Sequence, residues 1–145
     1  MFDVCVYRVA DGGNTFSFYM NKTSFHILRV GLAITFLWIG ILILKNPEAW
    51  GGYIQPWANR LLLVPIEQAM ISTAILDIVI GVFLLADIFT WLAALVGAGH
   101  LIIVLTVSGI SDITARDIGL LAAALAVSLD SLPQSIISRI KFLKK

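Results

Sequence analysis

The sequence predicts an all-α integral membrane protein, a four-helix bundle with both termini on the cytoplasmic side. Three observations carry this. Four apolar stretches each reach about 20 residues, enough for a hydrocarbon core of about 30 Å. The composition is 59% hydrophobic and 13% charged, with a mean hydropathy of +0.96, whereas soluble domains hold about 25% charged residues. Basic residues are unequally shared between the two sides. Arg8, Lys22, Arg139, Lys141, Lys144 and Lys145 fall on one side, and Lys45, Arg60 and Arg116 on the other. The richer side is expected to face the cytoplasm.

Residues 1–20 form an N-terminal extension. Phe2–Val9 is rich in β-formers, Asp11-Gly12-Gly13-Asn14 is a turn signal, and Thr15–Tyr19 alternates roughly. A β-hairpin is the local reading. The alternative is an upstream extension ahead of a start at Met20. No charged start, short apolar core and small-residue cleavage site mark a signal peptide, so insertion is expected to use the first span.

The transmembrane domain covers residues 21–135. Its first span is about Phe25–Leu44, stopped by Lys45-Asn46-Pro47 because proline disfavours helix at the residue before it. Residues 45–64 form the longest loop. Trp50, Tyr53 and Trp57 lie there and are expected to anchor it in the headgroup layer, where amphipathic rings settle. The second span is about Pro65–Ala86, with proline near the first turn. Asp87-Ile88-Phe89-Thr90 is a short link, so spans two and three form an antiparallel hairpin. The third span is about Trp91–Gly109. The fourth is about Arg116–Leu132, ended by Pro133, where Gly119 and Ala122–Ala126 favour tight packing. Residues 136–145 are a basic cytoplasmic tail.

Ionisable groups inside the spans are the candidate functional residues, because lipid makes them expensive. Asp77 lies 11 residues before Ile88, and His100 lies 11 after Phe89. A rise of about 1.5 Å per residue puts them at one depth on adjacent helices. Gly97 and Gly99 would let those helices approach. An imidazole offers a buried carboxylate both a donor and a counter-charge. Such a pair can relay protons, bind the head of a quinone-like molecule, or fix helix register.

Two further pairs are expected to tie the bundle at its ends, Glu67 with Arg116 and Arg29 with Asp130. Asp117 sits at a helix start, where the dipole favours an anion, and is given no other role. Asn21-Lys22-Thr23 matches a glycosylation sequon on the expected cytoplasmic side, so it is read as a chance match. One His and one carboxylate fall short of a zinc site. The single Cys5 makes no intramolecular disulfide, and no basic block suggests nucleic acid.

The arrangement resembles the DoxX-like family of small four-span membrane proteins. The likeness lies in Arg29-Val30-Gly31-Leu32, Phe36–Gly40, Lys45–Trp50, Asp77–Gly81, Trp91–Ala94 and Arg116–Ala124. It covers about Phe25 to Leu132. Asp77 stands where the family often has glutamate, which keeps the acid and shortens its reach. Trp91 stands where many relatives have arginine. The resemblance implies an accessory subunit of a membrane redox process, with quinone as the candidate ligand and a redox partner protein or a second copy as candidate partners. The lipid bilayer of the inner membrane is the expected environment. The alternative is a small transporter, channel or lipid-binding protein using the same polar centre. Independent catalysis is not expected, since no nucleophile with its base and no phosphate loop appears.

Overall fold

A computed structural model describes residues 20–133. The β-hairpin expected near the N-terminus, Arg8, and the basic tail with Arg139, Lys141, Lys144 and Lys145 lie outside the described residues.

The described chain is all helical. Its elements are α1 (Lys22–Lys45), α2 (Pro47–Gly51), α3 (Pro56–Asn59), α4 (Ile66–Ala86), α5 (Thr90–Ser108) and α6 (Asp112–Asp130). Among them, α1, α4 and α5 are long and apolar enough to cross a membrane. Helix is the form such runs must take in lipid, because it satisfies each backbone donor within the segment.

Local chemistry sets the boundaries. The Asn21 side chain accepts from the Thr23 N–H and starts α1. Asn46 both ends α1 and caps α2, accepting from the Ala49 N–H, with Pro47 in the first turn of α2. Asp87 and Phe89 adopt the left-handed conformation in the α4–α5 turn. The Thr90 hydroxyl donates to Asp87 Oδ1 at 2.7 Å and braces that turn. α6 begins at Asp112, four residues before the expected start of a fourth span at Arg116. A reciprocal cap explains the difference: Ser111 accepts from the Thr114 N–H, and Thr114 accepts from the Ser111 N–H.

α1 packs along α4, and α5 packs along α6. The two pairs join through α4–α5 and α1–α6, and α2 rests on α4. Glycines set the α1–α4 spacing. A Cβ on Gly40 would stand 2.8 Å from the Ala74 carbonyl oxygen, and one on Gly81 would stand 3.0 Å from that of Ala33. Gly97 of α5 receives the edge of the Phe36 ring. Gly99 and Gly119, expected at helix contacts, instead face open space.

The packed core is not spread evenly along the bundle. Leu32, Ala33, Ile80, Leu84, Ala94 and Val127 are buried in one cluster toward the α4–α5 turn. The other half, beneath α2 and α3, holds a cavity of about 220 Å³.

Candidate functional site

Asp77 lies midway along α4 and His100 midway along α5. His100 Nε2 stands 3.3 Å from Asp77 Oδ1, with Asp77 4% exposed. The two groups are within ion-pair range, yet the contact lacks hydrogen-bond alignment. Asp77 Oδ1 therefore has no hydrogen-bond partner among the described residues. An unpaired polar atom in so apolar a setting costs about 1–3 kcal/mol, more when charged.

Asp77 lines the floor of that cavity of about 220 Å³. Phe36, Ile39 and Ile43 of α1 form one wall, and Val104 and Val107 of α5 another. Trp50 and Tyr53 close the top. These two rings lie 6.2 Å apart above the polar centre. Trp57 does not line the cavity and is half-exposed. Gln55 fastens the roof to the end of α5: its backbone N–H donates to Val107 at 2.8 Å and its side chain to Ser108 at 3.3 Å.

Asp117 also lines this cavity and is only 3% exposed. Its place near a helix start, where the dipole favours an anion, does not by itself predict this. Its position on the buried stripe Thr114–Asp117–Ala124–Val127 was the available signal, because those positions share one helix face. Arg116 donates to Asp117 Oδ1 from Nε at 3.1 Å and from Nη2 at 2.9 Å. Two carboxylates and an imidazole thus face one apolar chamber, with a guanidinium at its edge. Among the described residues no group of three His, Cys, Asp or Glu side chains is placed to hold a metal ion.

The sequence model of the DoxX family matches residues 24–110, more than half of the chain. The protein belongs to the DoxX family. No curated protein and no solved structure matches it. The DoxX match spans α1 to the end of α5 and so includes Asp77 and His100. Arg116 and Asp117 lie beyond it.

The end-to-end ion pairs expected from depth alone are not those of this DoxX chain. Arg29 pairs with Asp87 at 3.4 Å instead of Asp130, and its guanidinium also donates to the Leu84 carbonyl. The reason is local. The carbonyl end of a helix carries partial negative charge, so the last carbonyls of α4 attract a cation. Asp130 instead accepts from the Met20 backbone N–H at 3.0 Å. Glu67 is exposed and makes no ion pair among the described residues, because Arg116 turns to its chain neighbour.

Proposed function

We propose that this DoxX protein is a four-span inner-membrane protein with both termini in the cytoplasm, acting as an accessory subunit of a membrane redox process. In this reading α6 is the fourth span. Its length equals that of α5, against which it packs. The excess of basic residues on the terminal side supports the orientation. A redox partner protein is the expected associate, with self-association a second possibility.

The role assigned to the cavity is to hold the head group of a quinone-class molecule over Asp77 and His100. One observation carries the reading: a buried carboxylate oxygen without a hydrogen bond, on a residue that lines the floor of an apolar chamber. A ring with polar substituents supplies the missing contact and fills the space. An apolar cavity of about 150 Å³ accepts benzene, so about 220 Å³ suits a substituted ring. The imidazole beside the carboxylate can pass a proton to or from the bound group.

Thermal unfolding in detergent with decylubiquinone tests this. Ligand at about 100 times its Kd stabilises by about 2.7 kcal/mol, so the melting temperature is expected to rise by several degrees. The rise is expected to vanish in Asp77→Asn and His100→Ala. An unchanged melting temperature in the parent protein would sink the quinone reading. Flux across proteoliposomes that disappears in Asp77→Asn would instead assign the centre to transport.

A further inference from the structure

We infer that the chamber is one-sided: solutes reach Asp77 and His100 only from the face that carries α2 and α3, and the α4–α5 face is closed to them. The inference builds on the cavity as the ligand site, but its test requires no ligand.

The lining residues carry the argument. They come from the second half of α1, the first half of α4, the second half of α5 and the first half of α6. In the antiparallel arrangement these are the ends that meet α2 and α3. Asp77 is the deepest of them on α4, twelfth in a helix that starts at Ile66. At about 1.5 Å per residue the chamber descends about 16 Å and stops.

Beneath the floor the helices touch. Gly81 meets the Ala33 backbone, and Gly97 meets the Phe36 ring. Ala94 and Leu84 are 0% exposed, and so are Ala124 and Val127. Close-packed interiors leave few voids larger than a water molecule. Arg29 then occupies the far end, bound to the α4 carbonyls and Asp87.

The upper side is different. The Arg116 side chain is 44% exposed although it lines the chamber. Tyr53, in the roof, is 47% exposed. A guanidinium and a phenol at the rim suit the headgroup layer. The mouth therefore lies between the roof and α6, with the Arg116–Asp117 pair beside the path.

Single cysteines in a Cys5→Ser background provide the test. Thr73→Cys and Val104→Cys place thiols on the chamber wall from two helices. Both are close in size to the residue replaced. Glu48→Cys marks the α2 face, and Ile88→Cys marks the opposite turn; both positions are exposed. Sealed vesicles of each orientation are treated with a charged, membrane-impermeant thiosulfonate. Both wall thiols are expected to react from the Glu48→Cys side on the order of tenfold faster or more, because a charge crossing the closed half meets a barrier of several kcal/mol. Reaction of either wall thiol from the Ile88→Cys side at a rate matching or exceeding that from the Glu48→Cys side would overturn the proposal. So would reaction from neither side while both markers react. Failure of decylubiquinone to stabilise the parent would remove the quinone reading and leave this result standing.

Discussion

Gly40→Ala puts one methyl group where α1 crosses α4. Its carbon would stand 2.7 Å from Cγ1 of Ile78, 2.8 Å from the Ala74 carbonyl oxygen and 3.3 Å from Cβ of Asp77. The Ile78 side chain can rotate away, but the Ala74 carbonyl is backbone and cannot. A carbon normally approaches such an oxygen to about 3.3–3.6 Å, so the helices must separate by about half an ångström or more. Overpacking of this kind costs about 1–3 kcal/mol. Alanine also favours helix over glycine by about 0.8–1.0 kcal/mol, which would blur the reading of one variant alone. Gly99→Ala removes that ambiguity, since a methyl there meets nothing within 4 Å. Both variants gain the propensity term, and it cancels in their difference. Gly40→Ala is therefore expected to be less stable than Gly99→Ala by about 1–3 kcal/mol. Reversible unfolding in mixed micelles with increasing dodecyl sulfate measures this directly. Equal stabilities would refute the account of the α1–α4 crossing.

Three further substitutions probe the α4–α5 turn and the end of α5. Arg29→Met keeps the side-chain stem and loses the charged bonds to the α4 carbonyls, so it is expected to cost about 1.5–3 kcal/mol in the same unfolding assay. Asp87→Asn should cost less than about 1 kcal/mol, because the Asp87 side chain is 51% exposed; a larger loss than in Arg29→Met would contradict that ranking. Gly109 has φ 69° and ψ −160°, a region closed to other residues, and a Cβ there would lie 2.5 Å from Gln55 Nε2. Gly109→Ala is expected to cost about 1–3 kcal/mol and to loosen the roof, seen as faster modification of Thr73→Cys.

Continuous apolar runs made the first three long helices legible, because lipid leaves a segment of that kind only one backbone solution. The nearness of Asp77 and His100 was legible too. A short turn fixes the relative depth of the helices it joins, and residues at equal distances from it meet. The partners of Arg29 and Arg116 were not legible by that reasoning. Depth along the normal ranks charges by level, but it is silent on which helix stands beside which. Arg29 found the carbonyl end of α4 because α1 lies along α4. Arg116 and Asp117 are adjacent in the chain, and adjacent helical residues do not normally face each other. The long arginine stem reaches round to close that pair. The roof was hidden for a related reason. Trp50 and Tyr53 carry the same belt signature whether they lie on lipid or turn inward, and Gly51 decides the matter. Its lack of a side chain seats α2 on Ile66.

The contrast between a filled and a hollow half has an electrical consequence. Under the one-sided access proposed above, water admitted at the mouth would carry the potential of its own face down toward Asp77. Most of the transmembrane voltage would then drop across the filled half. Moving one unit charge through 100 mV takes about 2.3 kcal/mol. A proton arriving from the mouth performs little of that work, although its destination is geometrically mid-membrane. On the proposed one-sided access, proton chemistry at this centre would be coupled to the proton concentration of one compartment and insulated from the field.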